Sequence, residues 1–68
     1  MTISITLNGD AAEVDENLTV ASLLDRLKVE PRRVVVEHNR RILRGEELAG
    51  SRIAAGDELE LIQLVGGG

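Results

Sequence analysis

One stretch of this chain carries a helical period, and it dictates what the rest can be. Val20, Leu23, Leu24 and Leu27 recur at i, i+3, i+4 and i+7, stacking on one face of a helix from Val20 to about Lys28. Thr19 stands where an N-cap belongs, and Leu18 before it can pack against Leu23 as a hydrophobic staple. Asp25, Arg26 and Lys28 lie off the stripe, and Pro31 blocks any continuation because it lacks a donor and drives Glu30 out of helical space. The stripe is core and is assigned no ligand role. A single short helix cannot bury itself, so its cover must come from strands.

The strands are legible on both sides of it. Ile3, Ile5 and Leu7 alternate with Thr2, Ser4 and Thr6, the period of a strand with one dry and one wet face. Asn8-Gly9 follows, a strong hairpin signal because both residues accept positive φ. A second strand then returns through about Asp10 to Val14, with Ala12 and Val14 inward. Beyond the helix, Val34-Val35-Val36 opens a third strand running to about Asn39, the chain turns at Asn39-Arg40-Arg41, and Ile42-Leu43-Arg44 forms a short fourth. From Gly45 to Gly56 there is little period; Leu48 and Ile53 are its apolar anchors and plug one end of the core around a tight or 3₁₀ turn. Gly56-Asp57 turns the chain into a last strand from Glu58 to about Val65.

That last strand changes character along its length. Counting by twos puts Leu59, Leu61, Gln63 and Val65 on one face and Glu58, Glu60, Ile62 and Leu64 on the other. The inner face is apolar first and the outer face apolar last, so Ile62 and Leu64 are expected at the surface. After Val65 come Gly66, Gly67 and Gly68. Three residues without a Cβ make a thin thread able to enter a channel closed to larger side chains, and they present a sterically open carboxylate. The chain therefore divides into a domain over 1–65 and a flexible tail over 66–68, with Ile62, Leu64 and Val65 as a docking patch beside the tail. A frayed terminus without function would look the same from the glycines alone.

A chain of 68 residues makes one small domain, and without cysteine or any aromatic residue its core must be a well-patterned aliphatic one. The missing cysteines also exclude disulfides and thiol chemistry and suit a reducing cytoplasm. No run approaches the ~20 apolar residues of a membrane span, and no secretory signal is visible. A net charge of −4 with no aromatic to stack a base argues against nucleic acid. The arginines Arg32, Arg33, Arg40, Arg41 and Arg44 are read as a solvated rim around a loop, with a basic edge as the alternative.

Candidates for catalysis by the chain itself are poor. His38 is the single histidine and is read as a surface residue, pointing away from Glu37 as strand neighbours do. Ser22 and Ser51 have no visible base, and Glu46-Glu47 and Asp57-Glu58 read as solvated loop charges. No enzyme and no bound metal are expected.

Strand, strand, helix, strand, strand, strand in so short a chain permits few layered solutions. The simplest is a mixed sheet of about five strands curled over one helix, with the first hairpin and the last strand at its centre. This α+β arrangement is the β-grasp, or ubiquitin-like, fold. Over its full length the chain resembles the ThiS family of small sulfur carriers in thiamin thiazole biosynthesis. The resemblance is carried by Asn8-Gly9, Thr19-Val20, Leu23-Leu24, Glu37 with Asn39, Gly56-Asp57, Glu60 and Val65-Gly66-Gly67-Gly68. Family members often have an aromatic residue where Leu48 stands, and glycine and proline where Arg40 and Arg44 stand. These departures bear on loop packing and partner choice.

What the resemblance implies is a carrier cycle. An E1-like adenylyltransferase of the ThiF type, holding ATP and Mg²⁺, would join the Gly68 carboxylate to AMP. Sulfur from a cysteine-desulfurase persulfide would then displace AMP and leave a thiocarboxylate for a thiazole synthase of the ThiG type. The chain itself would bind no cofactor. Three alternatives stand beside this one. The first reads the chain as a molybdopterin-synthase small-subunit-like carrier, though that family usually runs longer. The second reads it as a protein modifier joined through Gly68, against which stands its single lysine, Lys28. Or it is a plain β-grasp interaction module with an incidental tail.

Overall fold

The structure is a computed structural model and describes residues 1–64. Strand β1 (Thr2–Leu7) pairs antiparallel with β2 (Asp10–Asp15), Leu7 opposite Asp10. Asn8 and Gly9 between them have φ of 51° and 86°, the left-handed pair whose twist matches that of the flanking strands. A second hairpin repeats the device without glycine. Strands β3 (Val34–His38) and β4 (Arg41–Leu43) are joined by Asn39 and Arg40, with φ of 53° and 70°. Arg44 falls outside β4, one residue earlier than the sequence suggests, because a two-residue turn closes the pair His38 and Arg41.

Helix α1 (Val20–Arg26) begins as expected: the Thr19 hydroxyl accepts the Ser22 N–H at 3.1 Å, and Leu18 and Leu23 are both buried. Its end differs from the expectation. The helix stops at Arg26, Lys28 turns left-handed at φ 60°, and the N–H groups of Lys28 and Val29 reach back to the carbonyls of Asp25 and Leu24. These two bonds form a Schellman motif, which ends the helix before Pro31 can act. Pro31 instead opens a 3₁₀ turn (Pro31–Arg33) leading into β3. Leu27, the C-cap, keeps helical backbone and donates to the Leu23 carbonyl yet stands 42% exposed, while Val29 beyond it packs against the core.

The segment after β4 contains a one-turn helix, α2 (Glu47–Gly50), which no periodicity announced. Glu47 starts it: one carboxylate oxygen accepts the Arg44 N–H at 2.8 Å and the other accepts from the Arg41 guanidinium at 3.1 Å. The reading of Glu46-Glu47 as merely solvated is therefore corrected for Glu47. Leu48 and Ile53 are buried, closing one end of the core, and backbone bonds from Val20 to Ser51 and from Ile53 to Leu18 tie this segment to the start of α1.

The five strands form one mixed sheet in the order β2-β1-β5-β3-β4, with β5 (Glu58–Gln63) central, parallel to β1 and antiparallel to β3. The inward residues Ile5, Val36 and Leu59 close over Val20, Leu23 and Leu24. The β1–β5 ladder covers only Thr6 with Glu58 and Leu7 with Leu59, because β1 ends where β5 begins. Asn8 extends it: its N–H donates to the Leu59 carbonyl at 2.9 Å and its side-chain oxygen accepts the Leu61 N–H at 2.8 Å. Asn39 does the same from the other hairpin, donating its N–H to the Glu58 carbonyl at 2.8 Å and accepting the Glu58 N–H at 2.9 Å.

Between these two clamps sits Asp57. Its carboxylate accepts from the Ala54 N–H at 2.8 Å, the Asn39 amide at 3.2 Å and the His38 ring nitrogen Nε2 at 2.6 Å. Both His38 and Asp57 side chains are 15% exposed, so neither is the surface group that sequence suggests. His38 lies on the inward side of β3, two residues beyond Val36, where an apolar row meets the turn before β5. Burial alone would push the Asp57 carboxyl up, but the bonds from Ala54, His38 and Asn39 together outweigh it and hold the pKa below 3.8. An ionised carboxylate only accepts, so Nε2 is the protonated nitrogen of His38.

Three outcomes follow from this packing. Leu24→Asp, placing a charge at a site 1% exposed, should abolish the cooperative far-UV circular dichroism transition. Lys28→Gly relieves a left-handed non-glycine residue and should add about 0.5–1 kcal/mol, measured by urea unfolding. Asp57→Asn should cost about 1–2 kcal/mol at neutral pH. A depressed folded pKa contributes stability above the unfolded value of 3.8 and loses it as pH falls through the folded one, so the gap between wild type and variant should narrow below about pH 4.

Candidate functional site

Among the described residues nothing covers the outer face of the sheet, and its two halves differ chemically. At the start of β5 the outward residues are acidic: Glu60 lies opposite Glu37, and Glu58 opposite Thr6. These three carboxylates, with Arg40 at the hairpin tip, line an open depression of ≈ 520 Å³. At the end of β5 the outward residues are apolar. Ile62 is 45% exposed and Leu64 59%, while Val35, opposite Ile62, is half-buried. Ile42, opposite Glu37 on β4, is 50% exposed and completes the patch.

The backbone holds this apolar end in place. Val34 pairs with Gln63, and the Leu64 N–H donates to the Arg33 carbonyl at 2.9 Å, so the sheet continues one residue past β5. On its other side β5 runs on beyond the end of β1, and Asn8 supplies its last neighbour there. The strand thus emerges from the sheet at Leu64 with four apolar side chains on one surface. Residues Val65, Gly66, Gly67 and Gly68, and with them the division between domain and tail, lie outside the described residues.

The structure exposes Ile62 and Leu64 as sequence alternation implies, and adds Val35 and Ile42, which that reading had not gathered into the patch. The signal for Val35 is present in the chain: once Val34 and Val36 face inward, Val35 faces out. Ile42 required the register of the second hairpin, fixed by the two-residue turn at Asn39-Arg40.

The other candidates separate rather than converge. Ser22 is engaged with Thr19 at 3.0 Å as part of the helix cap, while His38 is bonded to Asp57 in the β5 lock. The five arginines do not form one cluster. Arg32 and Arg33 precede β3, with Arg33 paired to Glu30 at 3.3 Å; Arg40 and Arg41 lie at its far end, with Arg41 paired to Glu47. Arg44 follows β4, beyond its pairing of Leu43 with Val36. Among the described residues no group of three or more His, Asp or Glu is placed to hold a metal, and no helix is long and apolar enough to cross a membrane.

Comparison with known proteins places this geometry. The chain is 36% identical to a thiamine biosynthesis protein (ThiS) from Geobacter metallireducens. The crystal structure of that protein superposes with a TM-score of 0.83, covering 97% of this chain and all of the other. A solution structure of a thiamine biosynthesis protein from Geobacter metallireducens superposes at 0.81 with the same identity, covering 97% of this chain and 88% of that one. A thiazole synthase from Paramagnetospirillum magneticum is 33% identical over 66 residues; the match takes in 97% of this chain but only 20% of that protein's length. The profile of the ThiS family matches residues 5–68, and on that match, with the shared β-grasp sheet, the chain belongs to the ThiS family.

Proposed function

We propose that this protein is a sulfur carrier for thiamin thiazole formation, with the Gly68 carboxylate as the carrying group. The observation that carries the reading is that the family match runs unbroken from residue 5 through Gly68, so the glycine run falls inside the family pattern. The chemistry is an activation followed by a displacement. A carboxylate is a poor acyl donor until one oxygen becomes a good leaving group. An E1-like (ThiF-type) enzyme holding ATP and Mg²⁺ would transfer AMP to Gly68 and release pyrophosphate. A persulfide sulfur, derived from cysteine through a desulfurase, would attack the acyl carbon and expel AMP. Reductive cleavage of the resulting acyl disulfide by a thiol frees the C-terminal thiocarboxylate.

The protein's own residues would bind and present. Val35, Ile42, Ile62 and Leu64 offer the apolar surface against which a partner seats, and Glu37, Glu58 and Glu60 beside it add charge that steers approach. A thiazole synthase of the ThiG type is the proposed acceptor. Support for it comes from the thiazole synthase of Paramagnetospirillum magneticum, one-fifth of whose length resembles this chain.

Intact-mass measurement tests the chemistry. After incubation with ATP, an E1-like adenylyltransferase and a persulfide source, the C-terminal fragment should gain about 16 Da, the exchange of oxygen for sulfur. The gain must be localised because oxidation of Met1 adds nearly the same mass. It should require ATP and vanish in a chain lacking Gly68; an unchanged tail would remove the proposal. Ile62→Asp and Leu64→Asp should slow adenylation about tenfold or more at limiting carrier concentration while leaving the unfolding free energy within about 0.5 kcal/mol. Normal adenylation by both variants would dismiss the docking face.

A further inference from the structure

The two edges of the sheet are not equivalent. On β4 the edge is three residues long and partly closed, since Glu47 already accepts the Arg44 N–H that follows it. On β2 the edge is six residues long. Leu7 and Asp10 flank a two-residue turn and so form a hydrogen-bonded pair; alternation along the ladder then aims the N–H and C=O groups of Ala11, Glu13 and Asp15 away from β1. Beside this edge, between β2 and α1, lies an open groove of ≈ 240 Å³ floored by Val14, Leu18 and Leu23. Leu27, the half-exposed C-cap of α1, forms part of its wall.

The charge of the edge says what fits. Asp10, Glu13, Asp15 and Glu16 crowd its length, and Arg26, the one cation lining the groove among the described residues, is bonded to Asp15. Two copies brought together through this edge would set carboxylates against carboxylates, which disfavours self-pairing. We infer that the β2 edge accepts an extended segment of a partner protein as a sixth strand. Alternate apolar side chains of that segment enter the groove beside Leu27, and lysines or arginines at its ends meet the acidic residues of β2. This surface lies on the opposite side of the sheet order from β3 and β4, so a partner there leaves the Ile62 and Leu64 patch open.

The test uses the full chain labelled with ¹⁵N and a synthetic seven-residue peptide alternating valine and threonine, flanked by two lysines at each end. Amide shifts are expected to concentrate on Ala11, Glu13, Asp15 and Leu27, with slowed hydrogen exchange at Ala11, Glu13 and Asp15. A peptide flanked by glutamates instead should bind about tenfold more weakly. Glu13→Pro removes an outward donor while sparing the β1 ladder, and should abolish the shifts in a folded protein. If that variant does not fold, Leu27→Asp, at an exposed site, should weaken binding about tenfold instead. Shifts elsewhere or none at saturating peptide, equal affinity for both peptides, or sedimentation showing that the chain covers this edge with a second copy would overturn the inference.

Discussion

The fold depends on the last strand entering between two hairpins that are not paired with each other. β5 lies between β1 and β3, and each neighbouring hairpin grips it through an asparagine in the left-handed conformation. At such a residue the side-chain amide lies close to the chain direction, so Asn8 and Asn39 can satisfy β5 backbone groups where their own strands have already ended. Asp57 adds the third contact, binding His38 and Asn39 of the second hairpin while its carbonyl accepts the Thr6 N–H of the first. Remove these polar contacts and β5 keeps its five-residue ladder to β3 but only a two-residue ladder to β1. The first hairpin would then be joined to the rest of the sheet by little more than that short ladder.

This arrangement also decides where the apolar patch stands. A central strand would ordinarily be covered on both faces in a larger α/β protein, but here helix α1, with the α2 segment at one end, covers one face and nothing in residues 1–64 covers the other. Because β5 is staggered beyond β1, its final residues emerge at the rim of the sheet, and the outward side chains Ile62 and Leu64 meet Val35 and Ile42. The acidic residues Glu58 and Glu60 come first along the strand and the apolar ones last. A partner that binds the end of this strand therefore meets a greasy surface bordered by negative charge.

The edges of the sheet carry their own asymmetry. Arginines surround β4 and carboxylates line β2, and Glu47 bonds across the short β4 edge to start α2. Charged side chains and short edge strands are what keep a small sheet from growing by edge-to-edge addition. Among the described residues the longer β2 edge has no such plug and is guarded by charge, which repels a like edge but not a basic one.

Much of this was fixed by local chemistry and so could be read directly. The period of Val20, Leu23 and Leu24 required a helix, Thr19 capped it, Asn8-Gly9 turned the first hairpin, and alternation along β5 set Ile62 and Leu64 on the outer face. These follow from the spacing of neighbours along the chain and need no distant partner. The tertiary structure decided the rest. Leu27, on the stripe by spacing, stands half exposed at the end of the helix, and two backbone bonds close a Schellman motif at Lys28, a residue whose propensity gives no notice of it. His38 and Asp57, plain charges in a linear reading, become a half-buried pair because strands β3 and β5 bring together residues nineteen positions apart. Ile42 joins Ile62 and Leu64 only through the register of a hairpin and the insertion of β5 beside it. Periodicity acts over a few residues and survives in any window of sequence, whereas burial of a polar pair and assembly of a patch depend on which strands become neighbours.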